Sequence, residues 1–123
     1  MPKITLVLVN CDTENEAERI GRKILRERLI SCFDIIPRFL AAYFWPPKSG
    51  KIETSKGATL VLETLNRHIL EIEREIKKIH SDKLPFIGSF EIKVSSKYFD
   101  WVRGELKNNL KDFLKSHYKH LDS

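Results

Sequence analysis

Only two cysteines, Cys11 and Cys32, occur in the 123 residues, too few for the disulfide framework that staples small secreted domains. Two reduced, buried thiols in the cytosol are the plain expectation; soft metal ligands or redox groups are the alternative. The five glycines are scattered, with no Gly-x-Gly and no Walker-type run, so a phosphate cradle of that kind is excluded. No apolar run approaches the roughly 20 residues that span a bilayer. The stretch 4–9 is apolar but gives way at once to Asn10-Cys11-Asp12, without the small-residue cleavage site of a secretory leader. The expectation is a cytoplasmic protein with no membrane partner. A concentrated charge of one sign is also lacking. The net charge of +5 arises from 22 basic and 17 acidic side chains that are interleaved, whereas nucleic-acid readers gather basic residues on one face or tail. No nucleic-acid partner is expected.

What is present suits one domain, 1–123, with a core over about 3–106 and a C-terminal helical tail over about 107–123; a chain of 123 residues can bury a core of its own. Residues 4–9 form a continuous apolar, β-branched run, the pattern of a strand covered on both faces. Thr13-x-x-Glu16 then reads as a capping box, and Ala17, Ile20, Ile24 and Leu25 recur at helical spacing behind it. The spacing predicts a first helix over 13–28. From 31 to 45 aromatic and branched residues favour a strand, with Pro37 implying a bulge or an edge. Pro46-Pro47-Lys48-Ser49-Gly50 is a turn, and 52–64 is the returning strand. Asn66 is a candidate cap for a second helix, in which Ile69, Ile72, Ile76 and Ile79 make one apolar stripe. Residues 86–94 predict a fourth strand and 98–114 a last helix weakened at Gly104 and Asn108-Asn109.

The order β-α-β-β-α-β is that of a ferredoxin-like α+β fold. Right-handed crossovers place both helices on one face of a four-stranded antiparallel sheet. The other face, apolar along the first strand, then needs a cover, and self-association through the overlong hairpin supplies one.

Three functional classes can be weighed. An RNA-recognition module would carry aromatic rings on its third strand for base stacking; Ala58, Leu60 and Glu63 stand at those positions, so the stacking platform is missing. A nucleophilic hydrolase needs a Ser or Cys beside an oriented base, and no spacing here demands that. The third class is an oligomer binding a metal or small ligand.

Arg28-Leu29-Ile30-Ser31-Cys32, the following Pro37, Tyr43-x-Trp45 leading to Gly50-Lys51-Ile52-Glu53, Glu63-Thr64, His80 with Pro85, and Tyr98-x-x-Trp101 occur in that order. Together they resemble the CutA family of divalent-cation tolerance proteins over about residues 4–106. The resemblance implies a ferredoxin-like homotrimer of PII-like architecture, linked to copper and other divalent cations and without catalytic activity. It implies no obligatory cofactor; its partners are the chain itself and divalent metal ions. Where that family usually has Trp-x-Gly-Lys, this chain has a longer turn over 46–50. Glu63 replaces a usual lysine, and His80-Ser81-Asp82-Lys83-Leu84-Pro85 lacks a usual tyrosine.

For metal, the candidates are Cys32, a soft ligand suited to Cu(I) or else a small buried hydrophobe, and His80, a cation ligand or else a helix-end charge meeting the dipole. Cys11 and the pair His117 and His120 are further candidates. For a ligand cleft or subunit interface they are Tyr43, Trp45, Lys51, Glu53, Pro85 and Trp101. The alternative function is a PII-like signalling or scaffold trimer binding a small anion or partner protein in its intersubunit clefts.

Overall fold

Strand β1 (Lys3–Cys11) runs through the middle of a four-stranded sheet in a computed structural model that describes residues 1–107. Helix α1 (Glu14–Arg26), the long strands β2 (Cys32–Phe44) and β3 (Ile52–Thr64), a 3-10 turn (Asn66–His68), helix α2 (Ile69–Ile79), strand β4 (Ile87–Lys93) and helix α3 (Ser96–Glu105) follow in order. The sheet order is β2-β3-β1-β4, with every neighbouring pair antiparallel. This is the expected ferredoxin-like α+β arrangement. The last helix stops at Glu105, where Leu106 turns extended, short of the expected end at 114; residues 108–114, His117 and His120 lie outside the described residues.

Period-two alternation along β1 sends its apolar side chains to two different cores. Val7, Val9 and Cys11 join Ala58, Leu60 and Leu62 beneath Ala17, Ile20 and Ile24 of α1 and Ile72 and Ile76 of α2. Burying each of the larger side chains contributes roughly 1.5–3 kcal/mol before chain entropy is charged. Ile4 and Leu6 point the other way and pack with Ile92, Val94, Leu65, Phe99, Val102 and Leu106. The second face is therefore not left wholly open: α3 covers one end of it. Beyond that end Phe90 and Ile36 stay exposed.

Two caps differ from simple expectation. Thr13 does cap α1, its Oγ1 accepting from the Glu16 amide at 3.0 Å, but the Glu16 carboxylate accepts from Asp12 N at 3.1 Å and from Ser81 N at 2.9 Å. It thereby joins the start of α1 to the loop after α2. Asn66 makes no cap; it accepts from Thr5 Oγ1 at 2.6 Å and donates to Glu91 Oε1 at 2.9 Å, tying β1 to β4.

The pairing of β1 with β3 stops at Cys11 and Ala58, whereas β2 and β3 pair on to Phe44 and Ile52. The outer half of the hairpin projects past the body of the sheet. Pro37 lies on the edge strand, just before a register irregularity between Arg38 and Ala41, which is where a residue without an N–H is tolerated. Lys48 and Gly50, at φ 63 and 73, turn the tip.

Candidate functional site

Cys32 opens β2 directly opposite Glu63 near the end of β3. Asp34, two residues along β2, shares their face of the sheet. The Cys32 thiol donates to Glu63 Oε2, and Tyr98 of α3 places its hydroxyl 2.9 Å from both oxygens of the same carboxylate. The ligand atoms of Cys32, Asp34 and Glu63 all lie within 4.8 Å of one another, with Cys32 and Glu63 half-buried and Asp34 exposed. Burial, and then the Glu63 carboxylate, push the Cys32 thiol up to about 12; burial and the hydrogen bond to Glu63 likewise raise the Tyr98 phenol. Tyr98 also packs on Trp101, ring centroids 5.5 Å apart.

His80 belongs to a different cluster. It follows α2, and its Nε2 sits 2.7 Å from the Asn10 carbonyl while Nδ1 accepts the Asp82 amide at 3.0 Å. With Nδ1 accepting, the ring proton is on Nε2 and donates to Asn10. Cys11 and Glu16 are its companions, again within 4.8 Å. Burial, then the neighbouring Glu16 and Asp12, push the Cys11 thiol up to about 12. Burial works against the Glu16 carboxylate, but hydrogen bonds from Ser81 and from the Asp12 amide outweigh it and hold the carboxyl below its usual range. Within one chain the two metal candidates Cys32 and His80 thus fall in separate donor groups. Cys11 and Cys32 form no disulfide and are both free thiols.

The interface candidates divide in a similar way. A cleft of about 710 Å³ lies between the hairpin and the loop after α2. Tyr43, Trp45 and Glu53 line it together with Arg38, Asp82 and Phe86. Lys51, Pro85 and Trp101 are not among its lining residues. Lys51 is exposed in the turn, its amide donating to Ser49 Oγ and its carbonyl accepting from Trp45 N. Arg38 was not singled out by sequence reasoning, yet its Nε is buried without a hydrogen-bond partner among the described residues. Gly57 opposite it was the available signal: a Cβ there would overlap the Cys11 carbonyl and come within 2.8 Å of Arg38 Nη2. Sequence reasoning also read Glu16 only as a cap and did not single out Asp34.

The strand order and the helices α1 and α2 on one face of the sheet define a ferredoxin-like α+β protein, here with a projecting apolar hairpin and two thiol-and-carboxylate clusters. The chain belongs to the CutA1 divalent ion tolerance protein family, whose profile matches residues 5–105. It is 34% identical over 99 residues to a CutA homologue of Danio rerio, the match taking in 80% of this chain and 64% of that relative, just under two thirds of its length. A divalent-cation tolerance protein CutA of Archaeoglobus fulgidus is 30% identical over 97 residues, 78% of this chain and 91% of that one. The crystal structure of CutA1 from Pyrococcus horikoshii matches with a TM-score of 0.78 at 28% identity, covering 85% of this chain and 99% of that chain.

Proposed function

We propose that this protein is a cytoplasmic homotrimer acting in the response to, and tolerance of, divalent metal ions, copper among them, and that it binds metal directly without catalysis. The observation that carries the assembly half is the hairpin tip. Phe39, Phe44 and Ile52 are 84%, 70% and 67% exposed on a limb that projects past β1. An apolar limb of that kind is stabilised by a partner surface, and family membership supports three copies. Two free thiols agree with a reducing compartment. Multi-angle light scattering at working concentration should return three times the 14.4 kDa chain mass; a monomer mass would overturn the reading.

Support for direct metal contact comes from the two converging donor groups. In the first, Cys11 and His80 supply sulfur and imidazole of the sort copper and zinc accept, although both ring nitrogens of His80 already hold backbone partners. The second holds sulfur and carboxylates. Calorimetric titration with Cu(I), Cu(II) and Zn(II) should show binding, and an absence of heat for every ion would remove metal contact from the account.

One observation favours the alternative, a PII-like signalling or scaffold trimer that takes a small anion in its clefts. Arg38, whose buried Nε has no hydrogen-bond partner among the described residues, lines the cleft beside the hairpin. That reading predicts that inorganic phosphate stabilises wild type and fails to stabilise Arg38→Ala in a thermal melt.

A further inference from the structure

We propose that Cys32, Asp34 and Glu63 form a divalent-cation site of mixed sulfur and oxygen donors, suited to Zn(II) or Cd(II), in which Tyr98 is a positioning residue. This deepens the metal-binding reading above and rests on it. The donors are set by strand geometry. Cys32 and Glu63 face each other across β2 and β3, Asp34 follows at the two-residue repeat on the same face, and the three ligand atoms converge within 4.8 Å.

Charge supplies an independent reason. Nine ion pairs occur among the described residues, and none includes Asp34 or Glu63. Two carboxylates thus stand beside a thiol with no salt-bridge partner, in a chain of net charge +5. A divalent cation is the counter-charge that would bind all three groups at once. The other donor group lacks this opening. There Glu16 accepts two backbone amides and both His80 ring nitrogens hold backbone partners, so an ion must displace a His80 hydrogen bond to gain its imidazole.

The donor chemistry selects the ion. Mg(II) and Ca(II) take oxygen ligands and avoid sulfur, and Cu(I) favours sites richer in sulfur or nitrogen. One thiolate with two carboxylates suits a borderline ion of tetrahedral habit, with water completing the shell. On binding, the thiol proton leaves to solvent and the sulfur becomes an anionic ligand. Tyr98 keeps its hydroxyl 2.9 Å from both Glu63 oxygens and so fixes the orientation of that carboxylate, as hydrogen-bond partners of metal ligands do.

The test is titration of the full chain with Cd(II), read by the ultraviolet thiolate-to-metal charge-transfer band, on wild type, Cys32→Ser, Cys11→Ser, Glu63→Gln and Tyr98→Phe, with circular dichroism to confirm folding. The expected result is a band that survives in Cys11→Ser, vanishes in Cys32→Ser, and needs about ten- to a hundred-fold more Cd(II) in Tyr98→Phe. Glu63→Gln preserves shape and should weaken binding at least as much. A band lost in Cys11→Ser and kept in Cys32→Ser overturns this site while leaving metal binding by the protein intact. Absence of any band in wild type overturns the site, and absence of heat in the Cu and Zn titrations overturns the broader reading separately.

Discussion

Thr64 donates its hydroxyl to the Leu29 carbonyl at 2.7 Å, with both residues fully buried. The bond fastens the end of β3 to the turn leaving α1, where Arg28 takes φ 57 and the Leu29 amide reaches back to Ile24 O. Thr64→Val keeps the shape and strands that carbonyl in the core. The expected cost is about 1–3 kcal/mol, seen as a lower urea midpoint with an unchanged slope.

Gly57 is required by its neighbours and not by its backbone angles. A Cβ would collide with the Cys11 carbonyl as well as crowd Arg38 Nη2. Gly57→Ala should therefore lose about 1–3 kcal/mol through overpacking. Adding Arg38→Ala should restore little of it, because a side chain can yield and the β1 backbone cannot. Equal stability of the double variant and Arg38→Ala alone would refute the backbone clash.

His68 gives the fold a pH dependence of definite sign. It is buried, and burial, followed by the Arg67 charge, lowers its pKa, with Glu71 and a Lys107 backbone hydrogen bond opposing and the Lys107 charge assisting. The unfolded chain, with an ordinary histidine near 6.5, takes the proton first as pH falls. Its contribution is complete above about pH 6.5 and is lost below it, by at most about 1.4 kcal/mol per pH unit, until the folded value is passed. Denaturant melts between neutral pH and pH 5 should show a shallower loss in His68→Gln than in wild type.

Phe44 and Ile52 face each other at the end of the hairpin and are both largely exposed. Replacing both with Ser removes apolar surface that no described residue covers. Within one chain the change should stay within about 0.5 kcal/mol. The mass by light scattering should fall toward that of a single chain, and an unchanged mass would place the assembly surface elsewhere.

Much of the architecture was legible because it is written in local periods. The apolar run of β1, the Thr13 cap, the isoleucine stripe of α2 and the turn at residues 46–50 each declare themselves within a dozen residues. The candidate site was less legible, since it depends on register. Nothing near Cys32 in sequence reveals that Glu63 will stand opposite, or that α3 will bring Tyr98 over both. His80 stood among the metal candidates by residue type alone, and no spacing named its neighbours. It meets Cys11 and Glu16 because the loop after α2 closes on the start of α1, a contact made by the Ser81 amide on Glu16 that no side-chain pattern announces. Asn66 misled for a related reason: its residue type suits a cap, yet links to Thr5 and Glu91 claimed its side chain first.

The central place of β1 also bears on how the chain comes off the ribosome. The first strand made is the one that needs partners on both edges, β3 through Thr64 and β4 through Lys93. While β2 and β3 close on each other through a short turn, β1 gains its second neighbour only when nearly the whole described chain has been made. Until then an apolar strand carries an open hydrogen-bonding edge, the kind of surface that draws chains into wrong pairings. Slow, cool expression should therefore raise the soluble yield of this protein more than strengthening any single contact in its finished core.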